Sequence, residues 1–126
     1  MLEVICVMSA GAVGALCRFG TDRLGKTLLG TAFPYGTLTV NVLGCLLFGI
    51  FMQIDAQGGG FSKHTKLLVT TGFLGAFTTF STFGFDTFQF FKTGHAVSAL
   101  VNIGANLVLG LIAVWGGTLL AKTLGS

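Results

Sequence analysis

The segment from residue 72 to residue 83 places hydroxyl side chains between phenyl rings inside an apolar stretch. It reads Gly-Phe-Leu-Gly-Ala-Phe-Thr-Thr-Phe-Ser-Thr-Phe, and in it Phe80 and Phe83 bracket Ser81 and Thr82 one helical turn apart. The edge of a phenyl ring carries partial positive charge. Two such edges beside hydroxyl donors could bind an anion weakly, without a fixed charge that would trap it, and weak repeated binding is what conduction needs. We assign the other phenylalanines of residues 73–91 to packing.

The first half of the same segment predicts a break in a helix. Gly72 and Gly75, followed by the β-branched pair Thr78 and Thr79, form the least helical sequence of any apolar segment. Carbonyls freed at a break commonly coordinate cations near the membrane midplane. Two carbonyls from each subunit of an antiparallel dimer would give four ligands for a small cation such as Na⁺. Alternatively, the glycines serve close packing and the threonine hydroxyls bond back to the preceding turn.

Three asparagines could add hydrogen-bond donors to the same path. Asn41 lies among apolar residues, and Asn102 and Asn106 are four residues apart, so we expect them on one helix face. Amide and hydroxyl donors suit a small, strongly hydrated anion. Each asparagine could instead bond across helices as structural glue. The buried asparagine, serine and threonine residues together are too many to serve only as contacts between helices.

Two charged residues lie within or near the apolar segments. Arg18 could extend to the membrane interface, pair with Asp22 at i+4, bond the backbone freed by the break, or attract anions into a vestibule. Asp86 lies one turn beyond Phe83 and could cap a polar pocket or bind a cation. We expect Asp86 to be a paired structural carboxylate.

The composition places these residues in an integral membrane protein. Of 126 residues, 52% are hydrophobic and 9% charged, which leaves too little polar surface for a soluble domain. Four apolar segments reach the roughly 20 residues that a spanning helix needs: residues 2–21, 35–54, 67–91 and 96–121. The sequence therefore predicts one all-α domain over residues 1–126, with four transmembrane helices joined by short links and the third helix broken near its middle.

The cations exclude a nucleic-acid surface and bear on membrane orientation. Lys63, Lys66 and Lys122 belong to one side, and Arg18, Arg23, Lys26 and Lys92 to the other. This spread makes no basic patch. Because the Lys/Arg bias sets orientation, a near balance of three against four suggests insertion both ways round and an antiparallel homodimer. The alternative is that the weak bias decides one orientation.

Small residues four apart allow helices to approach closely. The pairs are Ala10 and Gly14, Gly11 and Ala15, and Gly72 and Ala76. They could serve packing within one subunit, a contact between two subunits, or both. Association is expected because four helices can hardly enclose a polar path and also shield it from lipid.

Three motifs resemble the small fluoride channels of the Fluc or CrcB family. They are Gly-Ala-Leu-Cys-Arg-Phe from residue 14, Gly-Thr-Leu-Thr-Val-Asn from residue 36, and the Gly-Phe-Leu-Gly-Ala-Phe-Thr-Thr-Phe-Ser-Thr-Phe segment from residue 72. The resemblance covers essentially the whole chain. It implies a dual-topology dimer with two antiparallel fluoride pores, a central structural Na⁺, and passive export of F⁻ across the bacterial cytoplasmic (inner) membrane that relieves fluoride toxicity.

The resemblance also implies roles for single residues. Carried over by position, the pore-lining set is Asn41, Phe80, Ser81, Thr82 and Phe83, with Thr37 at a pore mouth. The carbonyls of Gly75 and Thr78 match the Na⁺ ligands, and Arg18 matches the family's first-helix arginine. In the fourth helix many members carry a tyrosine and a Ser/Thr track, where this chain has Asn102 and Asn106. We include Asn106 in the expected pathway.

Three other functions compete with this interpretation. A small multidrug exporter would need a carboxylate deep in helix one, but Glu3 is terminal and Asp22 follows Arg18. A membrane enzyme would need clustered catalytic groups, whereas His64 and His95 lie in separate links. A purely structural assembly subunit leaves the buried Asn, Ser and Thr residues unexplained.

Overall fold

The fold is all-helical in a computed structural model that describes residues 1–125. Four helical spans are long and apolar enough to cross a membrane: Leu2–Leu29, Tyr35–Gly59, Lys63–Lys92 and Ala96–Leu124. No strand occurs among residues 1–125. The chain is thus a multi-pass membrane protein with its polar residues distributed over helices rather than in a separate domain.

Five helical elements make up the four spans. They are α1 (Leu2–Leu29), α2 (Tyr35–Ile54), α3 (Lys63–Lys66, π-helical Leu67–Leu74 and Gly75–Phe77), α4 (Phe80–Lys92) and α5 (Ala96–Gly104, π-helical Ala105–Leu109 and Gly110–Leu124). A π-helical turn, Asp55–Gly59, extends α2. Elements α3 and α4 together form the third span.

Helix α1 is longer than predicted. Apolar length places its end near residue 21, but the helix continues to Leu29. Asp22 and Lys26 lie four residues apart and form a salt bridge of 2.5 Å, which supports the added turns. The helix stops where Gly30 adopts a positive φ of 82°. A polar helical turn can extend beyond the apolar stretch, so hydrophobicity alone misplaces this end.

The third and fourth spans also exceed their predicted bounds, 67–91 and 96–121. The third begins at Lys63, where the Ser62 side chain accepts a hydrogen bond from the Thr65 amide as an N-cap. The fourth ends at Leu124. Only the second helix matches its predicted bounds, 35–54.

Glycines bring the helices together in two pairs. Gly14 of α1 faces the carbonyl of Phe73 in α3, and a Cβ at Gly72 would lie 2.7 Å from Ala10 Cβ. Gly49 of α2 faces the Val114 carbonyl of α5 in the same way. These contacts lie within one subunit, which places the predicted Ala10, Gly14 and Gly72 pairs in intramolecular packing.

Two residues separate α3 from α4. Thr78 has φ −83° and ψ 158°, and Thr79 has φ −150° and ψ 110°, so both are extended. Thr78 seats its methyl group against Gly44 of α2, where any Cβ would collide with it. Helix α4 restarts at Phe80 with Thr79 as its N-cap, because Thr79 Oγ1 accepts from the amide of Thr82 at 3.2 Å.

Candidate functional site

The Asn41 side chain bonds to both backbone polar groups of Thr79. The Thr79 amide donates to Asn41 Oδ1 at 2.8 Å, and Asn41 Nδ2 donates to the Thr79 carbonyl at 3.2 Å. The amide of Thr79 has no helical acceptor at the break, and a buried unpaired group costs about 1–3 kcal/mol. Asn41 therefore supplies from α2 the bonds that the interrupted third span lacks.

A chain of side-chain hydrogen bonds continues from Asn41 into α5 and back to α4. Asn41 Nδ2 donates to Asn106 Oδ1 at 2.9 Å, and Asn106 Nδ2 donates to Asn102 Oδ1 at 3.1 Å. Asn102 Nδ2 donates to Thr87 Oγ1 at 2.9 Å, and Thr87 donates to the Phe83 carbonyl at 2.8 Å. The chain confirms that Asn102 and Asn106 share a helix face.

Backbone groups at both ends fix the direction of this chain. The Thr79 amide can only donate, so Asn41 must turn its Oδ1 toward the break and its Nδ2 toward Asn106. At the other end the Phe83 carbonyl can only accept, so the Thr87 hydroxyl must accept from Asn102. Every side-chain amide between the two ends donates in the same sense.

Two carbonyls beside the break lose their helical donors. In a continuous helix the Thr79 amide would donate to the Gly75 carbonyl, but it donates to Asn41 instead. The Thr82 amide would donate to the Thr78 carbonyl, but it donates to Thr79 Oγ1. Gly75 and Thr78 also line a cleft at the break. Their carbonyl oxygens are therefore suited to a hard cation such as Na⁺.

The smaller of two cavities, about 470 Å³ and called the narrow cleft for its volume, runs along the break. Three phenyl rings and two side-chain amides line it: Phe48, Phe80, Phe83, Asn41 and Asn106. The rings of Phe80 and Phe83 are 5.4 Å apart and tilted by 54°. Among the described residues no charged side chain lines the narrow cleft. Its polar lining is therefore made of neutral groups: ring edges, the two side-chain amides, and Thr70, Thr78 and Thr79.

A second, wide cavity of about 850 Å³ opens at one end of the bundle. Four charged side chains line it: Arg18, Asp22, Lys26 and Asp86. Hydroxyls from three elements join them, including Thr37 and Thr82. The wide cavity is a charged and hydroxylated vestibule, in contrast to the uncharged narrow cleft.

Thr79 is the residue common to both linings within the described chain. It is only 7% exposed, and its hydroxyl donates to Thr82 Oγ1 at 3.0 Å and lies 3.3 Å from Ser81 Oγ. Any ion that moved between the wide cavity and the narrow cleft along these linings would pass this residue.

The residues predicted from sequence thus divide between two places. Asn41, Asn106, Phe80 and Phe83 meet in the narrow cleft. Arg18, Thr37 and Thr82 lie in the wide cavity. Ser81 is exposed and lines neither, although its hydroxyl reaches Thr79.

One expectation for a charged group is wrong in the described structure, and one of the alternatives left open for Arg18 does not occur there. Asp86 was expected to be paired, but no cation of residues 1–125 forms a salt bridge with it. Asp22 pairs with Lys26 rather than with Arg18, since the helix extension brings Lys26 within 2.5 Å. Arg18 lines the vestibule without a salt bridge to any described residue.

The sequence interpretation missed two residues of the site. Thr79 was assigned to the break alone, although a threonine three residues before Thr82 is the spacing of an N-cap. Thr87 carried no signal, because a threonine in an apolar helix ordinarily bonds back to its own turn. Besides its bond to the Phe83 carbonyl, the Thr87 hydroxyl accepts a bond from Asn102 of α5, and this second bond depends on how the helices pack.

Comparison with known proteins places this chain among ion channels. The sequence model of one family, described as "CrcB-like protein, Camphor Resistance (CrcB)", matches residues 5–118. A relative from Dehalococcoides mccartyi, named "Fluoride-specific ion channel FluC", is 46% identical over 124 residues, 98% of this chain and 95% of the relative. Relatives of the same name from Rhizobium johnstonii and Geobacter sp. are 40% and 37% identical, covering 98% of this chain and 99% and 100% of their own lengths.

Proposed function

This chain belongs to the CrcB family, and from that membership we propose that it is a fluoride-selective channel, not an enzyme, through which F⁻ leaves the cell passively. The narrow cleft carries the proposal, because ring edges and amide groups meet there without a fixed charge. The named function of the relatives supports the choice of ion. Export of F⁻ across the bacterial cytoplasmic (inner) membrane would relieve fluoride toxicity.

The ion path runs from the vestibule past Thr79 into the narrow cleft. Arg18 attracts anions locally at the wide mouth, where water screens its charge, whereas Lys26 is paired with Asp22. In the narrow cleft the edges of Phe80 and Phe83 replace part of the lost hydration. Asn41 and Asn106 line the narrow cleft with the two rings, Ser81 lies between the rings in sequence, and Thr82 and Thr37 contribute from the wide cavity.

The functional unit in this proposal is an antiparallel homodimer. Phe80 is 80% exposed in one subunit, and its neighbours Ser81 and Thr82 are exposed as well. Hydrocarbon cannot satisfy exposed hydroxyls and the freed backbone of a break, so a second copy covers this face better than lipid does. Two copies related by a twofold axis in the membrane plane would give two antiparallel pores.

A structural Na⁺ on that axis completes the unit. The Gly75 and Thr78 carbonyls fit it, because the amides that would follow them donate to Asn41 and Thr79 instead. Bound there, Na⁺ supplies positive charge that holds the two broken spans together. The residues of this chain contribute only backbone oxygens, the ligands that hard cations prefer.

The competing exporter mechanism finds no support in the placement of carboxylates. Glu3 pairs with Lys63 at 2.6 Å at the start of α1, and Asp22 pairs with Lys26 near its end. Neither lies where a proton-coupled drug site in the middle of α1 would need it.

Efflux from liposomes tests the function directly. Purified protein reconstituted into vesicles loaded with fluoride or chloride should release fluoride rapidly and chloride at the rate of protein-free vesicles. Equal release of both ions would refute fluoride selectivity, and release of neither would refute the channel.

Added lysines test the antiparallel dimer separately. Several lysines inserted between Asp55 and Lys66 should lock every copy in one orientation, and the same insertion between Lys92 and His95 should lock the opposite one. Each variant alone should fail to protect cells from fluoride, and coexpression should restore resistance. Full resistance from a single locked variant would rule out the antiparallel unit.

A further inference from the structure

Asn106 presents an acceptor, not a donor, to the narrow cleft. Its Oδ1 accepts from Asn41 Nδ2 at 2.9 Å, while its Nδ2 donates to the carbonyl and to Oδ1 of Asn102, at 2.9 and 3.1 Å. The sequence-based expectation treated Asn106 as one more donor for an anion. Both of its amide hydrogens are instead donated to Asn102, one turn earlier on the same helix.

Hydrogen bonds to Asn102 fix the orientation of the Asn106 side-chain amide. Turning the amide over would put its NH₂ group against the NH₂ of Asn41 and its oxygen against two oxygens of Asn102. Asn102 cannot turn in compensation, because it is fully buried and donates to Thr87, whose hydroxyl is committed to the Phe83 carbonyl.

Asn41 likewise has no uncommitted donor. One hydrogen of its Nδ2 goes to the Thr79 carbonyl and the other to Asn106 Oδ1. The first bond braces the break, whereas the second joins two side chains that both line the narrow cleft beside Phe80 and Phe83. An anion in the cleft can reach an Asn41 hydrogen by taking the place of Asn106 Oδ1 or of the Thr79 carbonyl, and only the first exchange leaves the bonds at the break intact.

We propose that Asn106 determines specificity by competing with the permeating anion for Asn41 Nδ2. The proposal rests on the fluoride channel proposed above and deepens it. A hydrogen bond to an ion is roughly twice as strong as one between neutral groups. Fluoride, the smallest halide and the strongest hydrogen-bond acceptor among them, gains enough to displace the amide oxygen and occupy the site, while chloride gains too little. The cost of displacement is the same for both anions, so its removal raises the occupancy of chloride, whereas the site is already occupied by fluoride.

The same competition favours release of the anion. When the anion moves on, Asn106 Oδ1 returns to Asn41, so the donor is never left unpaired in a buried site. Binding is thereby kept weak enough for conduction. Selectivity and the rate of conduction then both depend on the hydrogen bond between Asn41 Nδ2 and Asn106 Oδ1.

The decisive variant is Asn106→Ala, which removes the competing acceptor. Its matched control is Thr70→Ala, because Thr70 also lines the narrow cleft but its hydroxyl bonds only to Lys66 within its own helix. Efflux of fluoride and of chloride from liposomes is measured for the parent and both variants. The control separates loss of the acceptor from simple widening of the cleft.

With Asn106→Ala we expect fluoride efflux to equal or exceed that of the parent and chloride efflux to rise. The fluoride-to-chloride ratio should fall about tenfold, the equivalent of one lost hydrogen bond, and Thr70→Ala should keep the parent ratio. Loss of fluoride efflux without a gain in chloride would overturn the inference, because it would make Asn106 a fluoride ligand. A parent protein without fluoride efflux would instead refute the proposed function itself.

A second variant and a measurement on the parent keep the test decisive if Asn106→Ala fails to assemble. Asn106→Ser shortens the side chain out of reach of Asn41 and should lower the ratio in the same direction. In the unaltered protein, fluoride should shift the ¹³C signal of the Asn106 side-chain carbonyl as it loses its bond. A signal that stays fixed while the Asn41 amide shifts would overturn the competition.

Discussion

The wide cavity and the narrow cleft differ in the charge of the side chains that line them. Four charged side chains line the wide cavity, and none among the described residues lines the narrow cleft. Two are cations and two are carboxylates, so the vestibule has no net charge, and Arg18 attracts an anion only locally, through water that screens the interaction. In a narrow apolar passage the same charge would bind an anion too tightly, since the interaction grows as the dielectric constant falls.

The two regions also differ in how their polar groups are held. In the vestibule, Asp22 and Lys26 bond to each other within one turn of α1. In the narrow cleft, Asn41 and Asn106 belong to a chain that ties α2, α4, α5 and the break together. We therefore expect substitutions in the narrow cleft to be severe and substitutions in the vestibule to be mild.

The largest effect is expected at Asn41. Asn41→Leu leaves the Thr79 amide without a partner, at about 1–3 kcal/mol, and removes the amide donor from the narrow cleft, so fluoride efflux should fall about 100-fold. Asn41→Ser should retain part of the flux. Thr39→Val is the control, because Thr39 lies on the same helix and its exposed hydroxyl bonds only to Tyr35. Equal flux from the Leu and Ser variants would reduce Asn41 to a helix contact.

The next largest effect is expected from the phenyl rings. Phe80→Ile and Phe83→Ile keep bulk but remove the positive ring edge, and each should lower fluoride efflux about tenfold. Phe85→Ile is the matched control, since Phe85 is an exposed ring of α4 that lines neither cavity. Parent-like efflux in both test variants would show that the ring-edge mechanism is wrong.

A smaller effect, on stability, is expected where α2 supports the break. Gly44→Ala would drive a methyl group into Thr78, and such overpacking costs about 1 kcal/mol or more. Gly104→Ala meets no atom within 4 Å and should be neutral. Thermal unfolding in detergent compares the two variants. A lowered midpoint for Gly104→Ala alone would contradict the packing of the break against α2.

The smallest effect is expected in the vestibule. Arg18→Gln should lower fluoride efflux about threefold at low ionic strength, and the difference should vanish at high salt because screening replaces the lost attraction. Arg23→Gln removes the same charge from a residue that does not line the cavity, although it stacks on Phe19, which does. A salt-independent loss at Arg18 would mean that it acts by structure rather than by attracting anions.

Sequence patterns anticipated the residues of the site better than their arrangement. The Phe80 to Phe83 motif and Asn41 stand out by type and spacing, and the structure brings them to one cleft. The assignment of Asp86 to a salt bridge failed because pairing depends on which cation reaches it across the bundle. The end of α1 was misplaced because the apolar stretch stops before the helix does.

The sequence by itself determined the membrane class, the four apolar spans, the weak point near Thr78 and Thr79, and the supply of rings, amides and hydroxyls. These follow from composition and local preference. Only the tertiary structure decided that Asn41 Nδ2 donates to Asn106, that Asn106 accepts this bond with its Oδ1, and that Thr79 lines both cavities. The physical reason is that the direction of a hydrogen-bond chain is fixed by the groups at its ends, here the Thr79 amide and the Phe83 carbonyl, which meet Asn41 and Thr87 only after the helices pack.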